Sequence, residues 1–232
     1  VLSCECGMLV SKKTKVDIIV TPLVTIAAGV FFTLLFASHI GKAAYSFGNL
    51  IIWATTLKPF LMGILISVIV GILLTLPVSS AAVCAALGLT GLAGGAAVAG
   101  CCAQMIGFAV MSFKENRWGG ILSQGLGTSM LQMPNIVKNP KIWIPSIVTS
   151  AITGPVSTCI FKMTMNGAAV SSGMGTCGLV GQIGVITGWF NPSAQAVNWA
   201  VHKAEKAGFA AEKIAEITQE TLAVTPGFFE WF

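Results

Sequence analysis

Along the chain, apolar runs of spanning length alternate with short polar or glycine-rich breaks. Ile18 to Ala37 carries no charge and is long enough to cross a bilayer core, which takes about 20 apolar residues. Ser38 to Lys58 is mixed, with His39, Lys42, Tyr45, Asn49 and Trp53 among its apolar positions, and predicts an interfacial helix or half-span. Pro59 to Leu76 is a second span, ended by Pro77-Val78-Ser79-Ser80. Small residues then take over, with Gly88, Gly91, Gly94, Gly95 and Gly100, a composition that lets helices approach closely or break around a cavity. Ala93 to Phe113 reads as a third span, closed by Lys114-Glu115-Asn116-Arg117. Gly119 to Pro134 is too short and too polar to cross, so it predicts a re-entrant or interfacial element. Ile142 to Phe161 is a fourth span, and the uncharged, Gly-rich Asn166 to Phe190 a fifth. From Asn191 on, Ala204, Ala207, Ala211, Ile214 and Ile217 interleave with Lys203, Lys206, Glu212 and Glu216 at helical spacing, the pattern of a water-facing amphipathic helix.

The expected architecture is all-α: a polytopic membrane protein of about five transmembrane helices plus re-entrant or broken helices. Its parts are a polar flank (1–15), a membrane domain (16–190) and a cytoplasmic amphipathic tail (191–232). An internal repeat is also expected. Pro77-Val78-Ser79-Ser80 is echoed by Pro155-Val156-Ser157-Thr158, and Gly95-Ala96-Ala97-Val98 by Gly167-Ala168-Ala169-Val170, which sets repeat units at about 58–112 and 141–189. If the spans simply alternate, Lys42, Lys58, Lys114, Arg117, Lys138 and Lys141 share one side. The positive-inside rule makes that side cytoplasmic, places the tail there as well, and relates the two repeats as parallel copies.

Composition agrees with the pattern. Of 232 residues, 55% are hydrophobic and 9% charged, with 26 glycines, and mean hydropathy is +0.85; a soluble domain carries roughly 25% charged residues. The net charge is +5, with many of the charges placed in the two end segments, which suits anionic lipid headgroups and argues against nucleic-acid binding, for which a basic stripe on a folded face is needed. Cys4, Cys6, Cys84, Cys101, Cys102, Cys159 and Cys177 contain no C-x-x-C pair and read as small polarizable packing residues. No metal site and no cofactor is expected.

Candidate chemistry is sparse. Between Asp17 and Glu205 the one acidic residue is Glu115, so the carboxylate chains of proton pumps are missing, and no nucleophile–base set can be built from His39 and His202. What remains is neutral hydrogen-bonding residues in apolar surroundings: Ser79, Ser80, Gln104, Asn116, Gln124, Gln132, Asn135, Asn166, Thr176 and Gln182. Amides offer donors and acceptors together, which suits a hydroxyl-rich ligand. The competing role for each is bonding to its own helix backbone or joining two helices. Gln124, Gln132, Asn135 and Gln182 are expected to share one polar cavity, with Ser79 and Ser80 at its edge.

Several ordered runs carry a resemblance. Lys58-Pro59-Phe60-Leu61-Met62-Gly63, the Pro77 break, Phe113-Lys114-Glu115-Asn116-Arg117-Trp118-Gly119-Gly120, Ser123 to Gln132, Pro134-Asn135 and Gly178-Leu179-Val180-Gly181-Gln182 resemble the type 2 membrane subunit IIC of bacterial sugar phosphotransferase systems, in the branch that includes putative perfringolysin regulators. The resemblance implies a multi-pass permease of the bacterial plasma membrane, often a homodimer, that binds a sugar while a separate IIB phosphocarrier phosphorylates it. It also implies an upstream membrane portion, because family members are longer at the N-terminus. In such a permease Glu115 would be the candidate catalytic base for the sugar hydroxyl. The alternative is a membrane receptor or regulator that binds a small polar ligand without transporting it.

Overall fold

The computed structural model describes residues 17–206 together with Cys6 and Met8. Two units are present, 1–49 and 50–232. In the first, the described backbone is the leading part of helix α1 (Asp17–Thr55). Its Leu23, Ile26, Phe31 and Leu34 are exposed, while Thr25 and Thr33 donate to the carbonyls of Thr21 and Gly29, returning their hydroxyls to the helix itself. The expected break at Ser38 does not occur, since α1 continues to Thr55. No proline stands between Pro22 and Pro59, so nothing in the backbone stops the helix before then.

The second unit contains α2 (Pro59–Thr75), α3 (Ser80–Ala86), α4 (Gly91–Gly120), α5 (Met133–Lys138), α6 (Ile144–Pro155), α7 (Val180–Phe190) and α8 (Ala194–Lys206), with π-helical and 3-10 turns between them. Its packing adds buried polar contacts to an apolar core in which Ile66, Val70 and Phe108 are fully buried. Ser67, Ser129, Ser146, Ser150 and Ser172 are fully buried, while Val110, Val148, Ile152 and Ile160 are more than half exposed. An apolar exterior around small polar contacts is the arrangement helices adopt in lipid, where association relies on close packing rather than on water exclusion. Gly91–Gly127 and Pro140–Ile160 are long and apolar enough to cross a membrane.

Two rows of small residues build the core. On α2, Gly63, Ser67, Gly71 and Thr75 recur every fourth position; on α6 and its π-helical extension, Ser146, Ser150, Gly154 and Thr158 do the same. Such spacing places each set along one helix face. The rows run antiparallel. Thr158 donates to Pro59 O at 2.9 Å and Ser67 to Ser150 O at 2.7 Å, and Gly154 sits on the Gly63 backbone. α4 joins them where Ser150 donates to Gly100 O at 3.2 Å and Gly100 lies against the backbone of Ser67. A Cβ at Gly100 would collide with backbone on that neighbour, so glycine is required for the approach.

These contacts correct the alternating order of spans. Gly100 meets Ser67, and Gly71 meets Gly100 and Gln104, so α2 and α4 run in the same direction while α6 opposes both. The Pro77 break and α3 carry the chain back along α2 before α4 begins. Lys58 therefore lies at the opposite end of the bundle from Lys114. The leading helices of the two repeat units, α2 and α6, are antiparallel, so the parallel relation that alternation required does not hold. The echoed quartets also differ locally: Gly95 to Val98 lie within α4, whereas Ala169 starts a 3-10 turn.

Asn166 to Phe190 was expected to cross, and it does not. Met165 pairs with Gly91 through bonds of 2.9 and 3.0 Å, the chain reaches Cys101 at Gly175, and α7 then returns until Gly188 touches Asn166 and Gly167. Glycines at each close approach allow this hairpin to fold on itself, so it is re-entrant from the Lys162 end. Ser193 N then donates to Asn166 O at 2.9 Å, which starts α8 at that same end. α8 has its apolar Ala196 and Ala200 buried; the rest of the amphipathic tail lies outside the described residues.

Two measurements follow. Gly100→Ala should destabilise the protein by about 1–3 kcal/mol through overpacking, whereas Gly119→Ala, with nothing within 4 Å of the added carbon, should be nearly silent in detergent thermal melts. Cysteines placed at Asn139 and Asn191 should label from opposite faces of the membrane; labelling from one face would restore the alternating topology.

Candidate functional site

The last three turns of α4 put Phe108, Met111, Ser112, Glu115 and Asn116 on one face, by their spacing of three and four residues. Opposite them stand Gln132, Asn135 and Ile142, and the two walls enclose a cavity of about 340 Å³. Ser112 and Gln132 are buried, while Glu115, Asn116 and Asn135 are exposed at the mouth. With Lys114, Arg117, Lys138 and Lys141 nearby in sequence, this is the basic end of the bundle.

The cavity exists because the chain reverses at Arg117, whose backbone has φ 51° and ψ −141°. This conformation costs a non-glycine residue about 1–3 kcal/mol. After it, Gly120 lies against Ser112 and Asn116, and a Cβ added at Gly125 would come within 3.5 Å of Ala109, so the π-helical turn Ile121–Gly127 runs back down α4. Phe113 and Trp118 bracket the reversal with rings edge to face, 6.0 Å apart, a favourable aromatic geometry. The segment from Gly119 to Pro134, expected as a re-entrant or interfacial element, folds back along α4.

A relay of amides ties the returning arm together. Asn135 Nδ2 donates to Gln132 Oε1 at 2.9 Å, and Gln132 Nε2 donates to Gln124 Oε1 at 3.0 Å. Ser129, within the same arm, contacts Thr75 Oγ1 at 3.3 Å, which pins the arm to the end of α2. Gln124 is therefore a support for Gln132 from behind, and Asn135 is the exposed end of the relay that faces the cavity.

The structure thus brings Glu115, Asn116, Gln124, Gln132 and Asn135 together. It does not bring the others to this cavity. Ser79 caps α3 by accepting from Ala82 N at 3.2 Å, and Ser80 joins α3 to the Gly173 carbonyl at 2.7 Å. Thr176 donates to Met105 Sδ at 3.4 Å and Gln182 to Cys102 Sγ at 3.3 Å, both on the second hairpin, where Asn166 is also buried. Gln104 lies between α2 and α4 against Gly71. The single cavity expected to include Gln182, with Ser79 and Ser80 at its rim, is therefore narrower in membership than the sequence suggested. Sequence reading missed Phe108, Met111, Ser112 and Ile142; the helical spacing that leads to Glu115 and Asn116 could have found the first three.

Chemically, the site offers one carboxylate, three amides and a serine beside aromatic and aliphatic walls. Amides and a carboxylate hydrogen-bond hydroxyl groups, and a cavity of this size falls in the range for small ligands. No group of three or more metal-ligating side chains occurs among the described residues.

The family model described as "Phosphotransferase system, EIIC" matches residues 1–222. No curated protein and no solved structure matches. The site itself predicts that Arg117→Gly, which removes the backbone strain without touching the cavity walls, raises the melting temperature by about 2–4 °C per kcal/mol relieved.

Proposed function

The chain belongs to the phosphotransferase system EIIC family, and on that premise we propose that it is a permease subunit that binds a small polyhydroxylated solute in the cavity between Glu115 and Asn135. The observation that carries this reading is the convergence of a carboxylate, three amides and a serine at the basic end of the bundle. Lys114, Arg117, Lys138 and Lys141 cluster at that end, which suits a cytoplasmic placement. A cytosolic IIB phosphocarrier could then reach the solute at the cavity mouth. The reading extends to a multi-pass position in a bacterial plasma membrane and to a homodimer, both in line with the family.

The division of labour follows from exposure. Asn135 and Asn116 hold hydroxyls at the mouth, Gln132 is fixed by Gln124 and offers its remaining amide hydrogen, and Phe108 and Met111 pack against the carbon face. Glu115, exposed and free to reach an incoming group, accepts the proton from the solute hydroxyl as its oxygen attacks the phosphoryl group of IIB; the hydroxyl oxygen forms the new P–O bond and the bond to the carrier breaks. A general base of this kind contributes about 10²–10⁴-fold in rate.

Glu115→Gln is expected to lower phosphorylation-coupled uptake by about 10²-fold or more when assayed with the cognate IIB, while sugar binding persists. Wild-type rates would remove Glu115 from catalysis and favour a receptor without transport. Asn135→Leu should weaken binding about tenfold with little loss of stability. Gln132→Leu should lower both, because it strands the buried Gln124.

A further inference from the structure

At the end of the bundle opposite Glu115 lies a second cavity, of about 380 Å³. Its walls are apolar: Ile51 and Leu57 around the end of α1, Met62 of α2, Leu89 from the turn after α3, and Leu92 and Ala93 of α4. The two polar side chains on it are already engaged, since Thr55 donates to Ile52 O at 2.6 Å and Thr90 to Gly88 O at 3.4 Å. The cavity therefore differs in chemistry from the one beside Glu115. It offers hydrocarbon contact instead of amides.

Its rim is positive. Lys58 is exposed and stands between the lining residues Leu57 and Pro59, and no acidic residue occurs from Ile18 to Lys114, the stretch that supplies every wall. Two helices begin at the same place, α2 at Pro59 and α4 at Gly91, neither with a side-chain cap. At the start of α4 the Gly91 N–H is taken by Met165 O and the Gly94 N–H by Thr90 O. The N–H groups of Leu92 and Ala93, both on the cavity, are left for another acceptor, and a helix N-terminus carries partial positive charge. Trp53, 54% exposed in the last turn of α1, is the kind of residue that sits at the headgroup level of a bilayer. Apolar groove, cationic rim and interfacial tryptophan thus occur together at one end of the bundle, in the order that a phospholipid presents chain and phosphate.

We propose that this cavity binds one anionic phospholipid, with part of an acyl chain between the ends of α1, α2 and α4 and the phosphate against Lys58 and the free N–H groups that open α4. Charge complementarity selects the occupant. A zwitterionic lipid brings its own cation to the phosphate and gains less from Lys58, while a free phosphate ion has no chain to fill the groove. The site is separate from the cavity beside Glu115 and does not depend on the solute reading.

The test uses the full chain, purified in an uncharged detergent and stripped of lipid, with binding read by native mass spectrometry and by melting temperature. Dioleoyl phosphatidylglycerol should bind at a single saturable site, about fivefold or more tighter than dioleoyl phosphatidylcholine, and should raise the melting temperature further. Lys58→Gln, at an exposed position, should weaken phosphatidylglycerol about fivefold and bring it to the level of phosphatidylcholine, whereas Lys114→Gln at the opposite end should leave it unchanged. Ile52→Trp, on the exposed edge of the cavity, should weaken both lipids by narrowing the groove. Glycerol phosphate, which has the phosphate without the chains, should not displace the lipid. Equal affinity for the two lipids, an unchanged Lys58→Gln variant, or equal weakening by Lys114→Gln overturns the charge recognition and the proposal with it. Wild-type lipid binding by Ile52→Trp would put the chain outside the cavity, and displacement by glycerol phosphate would make the site one for a free phosphate; either result overturns the proposal as well.

Discussion

The structure depends on one junction, where Ser67 donates to the carbonyl of Ser150 and Ser150 donates to the carbonyl of Gly100. Three helices meet there with almost no side chain between their backbones. In an apolar solvent, burying more leucine gains little, because lipid is as apolar as a protein core; contact between backbones and hydrogen bonds across helices decide the packing. The glycines at 63, 100 and 154 permit the approach, and the two serines turn carbonyls that already serve their own helices into interhelical links.

The rest of the second unit follows from that junction. Because Gly100 must meet Ser67 while Gly71 meets Gln104, α2 and α4 are held parallel, and the chain between them has to travel back along the bundle. Parallel helices separate Lys58 from Lys114 and gather Lys114, Arg117, Lys138 and Lys141 at one end. The reversal at Arg117 then folds the next segment onto α4 and closes the cavity beside Glu115. A second hairpin enters from the other end and reaches Cys101 and Met105. The site is thus a consequence of where helices are allowed to touch.

Much of this was legible in the sequence, and the rest was not for physical reasons. Hydropathy located the apolar helix at Pro59 and the two helices of spanning length near Ala93 and Ile142, because run length alone reports them. Polarity and glycine content marked Gly119 to Pro134 as a segment that does not continue the helix across, and picked out Gln124, Gln132 and Asn135, which the structure joins. The same signals failed for Asn166 to Phe190: an uncharged run long enough to cross looks the same whether it crosses or doubles back, and only the contacts of Gly175 and Gly188 distinguish the two. The four-residue rows on α2 and α6 were visible as small-residue spacing, but their partners, and so the direction of each helix, are properties of the folded state. Ser79 and Gln182 show the limit at the site, since a polar residue in an apolar run caps a helix or bonds to a sulfur as readily as it faces a ligand.

The central claim is that the cavity between Glu115 and Asn135 opens to the cytoplasm and holds the solute. With the native cysteines replaced by serine or alanine, Ser112→Cys places one thiol inside the cavity wall. The account predicts that a membrane-impermeant thiol reagent labels it in inside-out vesicles and not from the external face, and that a transported sugar slows the labelling. Labelling from the external face, or labelling that no sugar on the panel affects, would contradict it.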